Sequence, residues 1–366
     1  MSVDNEQKKL EVILEKNPFR EKGLIDGWRK ELAKIAEKQD FPYDPDKPED
    51  YKWFCLEEDK ERIKKFNEGL TLDTRKSENT KRGHRIHPEF IPQPFIGHPS
   101  AKIWLLNINP SWFASDVFAI LNAGSNVQEL TWRKKINNES LHLAVGGETI
   151  PFVDDMRDNV KCLKERQERM LNQLLLEKNT TTFFLLNECF NIVHDKSDGI
   201  KDTMYKWWSR CVIGNMGDNY PFGKLLGNNS DMPSLLGESL FVLESNPYRS
   251  LNPDKSFIKA CLGVNGNATF NPSTEWGIFW KELVCFALAT NRTIILRMER
   301  KRSETSILRH LFEGCEKISS ITATPFFLRT NQRVRLSCGN VDCGFGKEKD
   351  GTYFSEVVQG AFANRA

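Results

Sequence analysis

Three features of the sequence predict an α/β protein, a three-layer α/β/α arrangement around a central, mostly parallel sheet. Short, mainly apolar runs stand at 101–106, 240–243 and 293–296, with consecutive apolar residues at 103–106, 240–243 and 294–296. Consecutive rather than alternating apolar positions mark strands buried on both faces, as the central strands of a parallel sheet are. Each run gives way at once to polar residues, and stretches of helical periodicity separate the runs. That alternation is the pattern of a doubly wound sheet with helices on both faces.

The first 88 residues differ from the rest. Leu10, Ile13 and Leu14, then Leu24, Trp28, Leu32 and Ile35, recur at helical spacing among Lys and Glu, predicting two amphipathic helices. Pro42, Pro45 and Pro48 interrupt the pattern, and 51–70 resumes it. Arg75, Lys76, Lys81, Arg82 and Arg85 then lie in a Ser/Asn/Gly-containing stretch leading to His87-Pro88. It reads as a solvated basic linker or as an arm that contacts phosphates. The expected organisation is therefore a separate helical extension at 1–88 and an α/β domain at 89–366, with an insertion around 122–235.

Within 89–366, Ile103, Trp104, Leu105 and Leu106 form the first strand, bounded by Gly97, Pro99 and Ser100 before it and Asn109, Pro110 and Ser111 after it. A helix begins near Asp116, and a strong helix covers 156–177. The run at 180–187 reads as another strand, 205–213 as a packed helix and 215–233 as surface insertion. Phe241, Val242 and Leu243 precede Glu244, Asn246, Pro247 and Tyr248. An amphipathic helix at 274–288 comes next, then a strand at 293–296 ending in Arg297. A helix is expected at 303–312, the stretch 321–328 leads to Arg329, and a last helix covers 353–362.

Composition narrows the functional classes. Lys and Arg number 52 against 50 Asp and Glu, so a polyanionic partner would have to be met by a local basic patch. No run is long and apolar enough to span a bilayer, and the charged first 20 residues do not read as a signal peptide. Nine cysteines occur without a Cys-x-x-Cys pair, against a zinc ribbon or iron–sulfur cluster and for reduced thiols in a cytoplasmic protein. No metal and no cofactor are expected.

Pro94-Phe95-x-Gly97, an apolar strand, and then Asn109-Pro110-Ser111-Trp112-Phe113 with Asp116 nearby resemble the first motif of the uracil-DNA glycosylase superfamily. Its members carry Gly-Gln-Asp-Pro-Tyr there, or Gly-Ile-Asn-Pro-Gly in the mismatch-specific branch. A divergent group has Asn-Pro-Gly with Tyr or Phe, then Ser; this chain has Ser111 in place of the Gly. A second motif of that group, Glu-x-x-Pro-Tyr-x-Ser, is matched by Glu244, Pro247, Tyr248 and Ser250. The final motif is similar to 331–341, where Asn331, Arg333, Ser337, Gly339 and Asn340 keep the order. The family's prolines are lost there, and the His of uracil enzymes is absent.

The resemblance implies a base-excising enzyme acting on duplex DNA with one nucleotide flipped out. Breaking an N-glycosidic bond builds positive charge on the sugar and negative charge on the departing base, and both need partners. Asn109 stands where the family orients the attacking water, with Asp116 the nearest assisting carboxylate; Asp116 reads equally as an acid at a helix N-terminus. Glu244 occupies the place where uracil enzymes read the base edge with Asn. An ionised carboxylate can only accept, which suits an amino-bearing, cytosine-type base; a turn cap or a partner for Arg249 or Arg297 is the plainer role. Asn246 is placed beside it, and Trp112, Phe113 and Tyr248 are candidates to stack on the extruded base. Arg333, Arg335 and Ser337 would grip the backbone with Leu336 as wedge, and Arg297 and Arg300 would extend the basic surface. Such an enzyme would suit defence against modified invading DNA. Two rival readings share these residues: a DNA-binding protein of the same fold without chemistry, and a hydrolase or transferase acting on nucleosides.

Overall fold

The computed structural model describes residues 3–37, 48–107, 168, 170–176, 221–222, 239–250, 254–264, 272–300, 324–328, 341–343 and 356–360. The architecture is mixed α/β, with helices packed against a mixed sheet. Six strands are described: β1 (Phe95–Ile96), β2 (Ile103–Asn107), β3 (Leu240–Glu244), β4 (Thr293–Arg300), β5 (Thr324–Leu328) and β6 (Val341–Cys343). They lie side by side in the order β1-β3-β2-β4-β5-β6. The four central strands are mutually parallel, while β1 and β6 run antiparallel at the two ends.

The apolar runs form central strands for the reason anticipated. Trp104 lies beside Phe241 and Ile294, and Leu106 beside Leu243 and Leu296, so these six share one face. That face joins a single core cluster with the N-terminal helices. Ile103, Leu105, Leu240, Val242 and Ile295 alternate onto the other face and are equally buried. Burial on both faces is what permits, and requires, an unbroken apolar sequence.

The helical segment before the sheet contains α1 (Val3–Glu15), α2 (Leu24–Glu37), α3 (Glu57–Leu72) and α4 (Glu78–His84). Asp4 and Glu6 in the first turn of α1, and Glu57, Glu58 and Asp59 in that of α3, favour helix starts there through the backbone dipole. The basic stretch predicted as linker thus contains α4, and two of its cations pair with nearby acids. Lys81 meets Glu78 at 2.8 Å, and Arg75 meets Asp73 at 3.0 Å.

These helices do not stand apart as a separate extension. Leu10, Ile13, Leu14, Ile25, Trp28 and Leu32 are buried in the same cluster as the sheet. Between α1 and α2, the Asn17 side chain accepts from the Phe19 N–H and donates to the Leu174 carbonyl at 2.7 Å. Phe19, fully buried, meets Phe95 and Trp276 edge-on at 6.2 and 6.0 Å. Arg292, where the chain enters β4, reaches back to Glu6 of α1 at 2.6 Å.

Two further helices are described between β3 and β4. Helix α5 (Lys255–Cys261) is capped by Asp254, and α6 (Glu275–Leu288) by Thr274, whose hydroxyl accepts from the Gly277 N–H at 3.0 Å. Helix α6 is apolar almost all round and correspondingly buried, with Trp276, Phe279, Trp280, Leu283 and Val284 inside. Emptying one such aromatic site would cost about 3–5 kcal/mol. Its first turn presses on the end of α5: a Cβ added at Gly277 would lie 2.1 Å from the Leu262 carbonyl oxygen.

Beside β1, the Gln173 amide donates to the Gly97 carbonyl at 2.7 Å and accepts from the Gly97 N–H at 3.2 Å. Gln173 lies in a described helical stretch at 170–174, inside the helix predicted over 156–177. A described helical stretch at 356–360 falls within the helix predicted at 353–362. The predicted segments at 180–187, 205–213 and 303–312, and most of the insertion, lie outside the described residues.

Candidate functional site at the carboxyl ends of β2 and β3

Among the parallel strands, β2 comes first in the chain, β3 lies on one side of it and β4 on the other. The connections therefore leave β2 in one direction and later return to its opposite side. In open parallel sheets, ligands bind beyond the carboxyl ends of the strands at such a reversal. Asn107 and Glu244 are the final residues of β2 and β3 and lie directly opposite each other.

Both are buried, at 8% and 5% exposure, and the Asn107 Nδ2 donates to Glu244 Oε1 at 3.0 Å. A buried carboxylate costs free energy unless such donors meet it, so the pair fixes the orientation of the Glu244 side chain. The turn behind it is tied down at several points. Ser245 N–H and its hydroxyl both donate to the Asn107 carbonyl, at 3.1 and 3.2 Å, and the Trp276 indole donates to the Ser245 carbonyl at 2.9 Å. The Asn246 side-chain oxygen accepts from the Tyr248 N–H at 2.9 Å, closing an Asx turn.

A second segment, 87–96, runs antiparallel to 242–249 and extends past the end of the sheet. Glu244 N–H donates to the Pro94 carbonyl (2.9 Å), Gln93 N–H to that of Pro247 (3.0 Å) and His87 N–H to that of Arg249 (2.9 Å). Arg249 is buried, and its guanidinium donates to the Ile91 carbonyl at 3.1 Å and to Gln93 Oε1 at 3.0 Å. His87 and Glu89, also buried, meet through Nδ1 and Oε1 at 2.9 Å. Polar side chains buried in this density are expensive to maintain, and their concentration at one end of the sheet marks that end as the candidate site.

The sequence-derived candidates divide into three groups. Glu244 and Asn246 sit together at the end of β3. Tyr248 does not lie open for a base to stack on: it is 1% exposed within the core cluster. Its hydroxyl donates to Asp59 of α3 and accepts from the Leu56 N–H at 3.2 Å. Burial pushes the phenol well above its ordinary range, which keeps it the donor in that contact. Arg297 and Arg300 are not in a loop after a strand ending at 296, because β4 continues to Arg300, with an irregularity against β5 between Leu296 and Arg300. Asn109, Trp112, Phe113 and Asp116 lie outside the described residues, in the chain that leaves β2. Arg333, Arg335, Leu336 and Ser337 lie outside them too, in the connection between β5 and β6.

Asn107, Arg249, His87, Glu89 and Asp59 were not singled out in the sequence as site residues. Asn107 carried a signal, as the polar residue that ends an apolar run. Arg249 occupies a variable position of the second motif, and nothing in the local sequence joins it to 87–93. Among the described residues, no group of His, Cys, Asp and Glu could hold a metal ion, and no helix is long and apolar enough to cross a membrane. Comparison of the chain with protein-family models, with curated proteins and with solved structures finds no match in any of the three.

Proposed function

We propose that this chain is a DNA N-glycosylase of the cytoplasm. It would hydrolyse the N-glycosidic bond of a cytosine-type, amino-bearing base flipped out of duplex DNA, on a three-layer fold like that of the uracil-DNA glycosylases. The observation that carries the reading is the buried Asn107–Glu244 pair at the carboxyl ends of adjacent parallel strands, beside the reversal in strand order. It gives the second motif's Glu a held acceptor where a ligand of an open sheet would lie. Asn109, two residues beyond the end of β2, would orient the attacking water, with Asp116 assisting. Trp112 and Phe113 would stack on the base, and Tyr248 would serve the loop as an anchor. Arg333, Arg335 and Ser337 would hold the backbone, Leu336 would wedge the duplex, and Arg297 and Arg300 would add charge nearby. Removal of modified bases from invading DNA is the role such chemistry would serve.

The test is incubation with duplexes carrying one altered base each, followed by alkaline cleavage at any abasic site. Release of an amino-bearing base supports the reading; intact DNA across the panel refutes it. One observation favours a rival: 331–341 lacks the His that uracil enzymes carry in their last loop. Salt-dependent duplex binding without release of any base would establish that rival, a DNA-binding protein without chemistry.

A further inference from the structure

We propose that Asn246 supplies a donor to the base edge for which Glu244 supplies the acceptor, so that the site selects an amidine edge, an exocyclic amine beside an unprotonated ring nitrogen. The inference rests on the glycosylase reading and narrows its substrate class. Asn246 is 1% exposed and stands two residues beyond Glu244. Its Oδ1 accepts from the Tyr248 N–H, so the turn commits the oxygen and fixes which way the amide is flipped. Nδ2, with its two N–H donors, has no hydrogen-bond partner among the described residues. A buried amide donor is seldom left so, and an acceptor on a ligand would complete it.

The orientation of this amide is set from outside the loop. Tyr248, whose N–H holds Oδ1, is itself fixed by Asp59 and the Leu56 N–H at the start of α3. Neither of those contacts reaches Glu244, which Asn107 orients independently. The site therefore carries a preset acceptor and a preset donor from one strand end. Cytosine and adenine present an amine followed by a ring-nitrogen acceptor, and match that pair. Uracil presents a carbonyl followed by a ring N–H and opposes it at both positions.

Two substitutions separate the donor from the turn. Asn246→Ser keeps an oxygen able to accept from the Tyr248 N–H but deletes the donor; Asn246→Asp keeps the oxygen and puts an acceptor where the donor was. The probes are duplex oligonucleotides with a single cytosine, 5-methylcytosine, adenine or uracil at one position, and the readout is base release. The wild type is expected to release an amino-bearing base ahead of uracil. Asn246→Ser should lower that rate on the order of tenfold to a hundredfold and shrink the preference over uracil, and Asn246→Asp should lower it further. Partial loss of folding scales both rates alike, so the ratio between two bases within one variant reads the donor itself. A wild-type rate and ratio in Asn246→Ser overturns this inference and leaves the role of Glu244 standing. A wild type that releases no base overturns the glycosylase reading, and this inference with it.

Discussion

The phenol of Tyr248 donates its hydrogen to the carboxylate of Asp59, joining the loop after β3 to the first turn of α3 across 189 residues of sequence. Asp59 is fully buried and also meets Arg62 one turn along the helix. The contact makes a helix of the N-terminal segment the support for a strand-end loop of the sheet.

Tyr248→Phe removes one donor from a buried carboxylate and should cost about 1–3 kcal/mol of folding stability. Urea denaturation of variant and wild type measures it. A midpoint equal to wild type would mean that Asp59 takes its donors elsewhere.

Deleting residues 1–70 should abolish cooperative unfolding of the remainder, because Phe95, Trp276 and Tyr248 would lose the residues that cover them. Exposed apolar surface of that size leaves a chain collapsed but poorly packed. Thermal melting followed by circular dichroism, with dye binding as a second probe, distinguishes the outcomes. A sharp transition at the wild-type temperature would restore the separate helical unit expected from the sequence.

Glu244→Gln should reduce release of an amino-bearing base, since a charge-assisted acceptor becomes a neutral amide. With wild type, uracil should be the poor substrate, two opposed acceptors costing on the order of 1–3 kcal/mol. Matched oligonucleotides compared in single-turnover assays give both numbers. Efficient uracil release by the wild type would remove Glu244 from base reading.

Replacing Arg333 and Arg335 together by Ala should weaken duplex binding and flatten its dependence on salt. The expected loss is about 0.9 unit of log–log slope for each phosphate contact removed. Gel shifts across a salt series measure the slope, and an unaltered slope would put the backbone contacts elsewhere.

Asp254 gives a pH-dependent prediction. Burial pushes its carboxyl up, but hydrogen bonds from Ser256 and Phe257 and the charge of Lys76 outweigh burial and hold it below the ordinary value. A carboxyl with a lowered folded pKa contributes stability above its unfolded value, about 4, and loses that contribution as pH falls through the folded value. Asp254→Ala should therefore cost about 1 kcal/mol at neutral pH, the usual worth of a helix cap, and progressively less in acid. Denaturant midpoints at pH 7 and pH 3 decide it; an equal difference at both would assign the effect to packing.

What the sequence revealed follows from the range of each interaction. Strands β2, β3 and the start of β4 were legible because double-faced burial writes itself as consecutive apolar residues. Strands β1 and β6, two and three residues long, leave no such run, and their pairing depends on neighbours far along the chain. Glu244 and Asn246 stood out by motif, whereas Asn107 acquires its partner only when β2 and β3 pair. For Tyr248, a Pro-Tyr in a polar loop suggests exposure, while its burial comes from α3. The amphipathic helices at the start were read correctly as helices, yet periodicity names a buried face without naming what covers it.

The paired contacts between Gln173 and Gly97 bear on how the sheet ends. A carboxamide side chain can present an N–H donor beside a carbonyl acceptor, as a peptide group in a neighbouring strand does. Gly97 directly follows β1, the outermost described strand on that side, so Gln173 occupies hydrogen-bonding groups to which another chain could add itself. A helix thus supplies, through a single side chain, the hydrogen bonds that a further strand would make at this point of the edge.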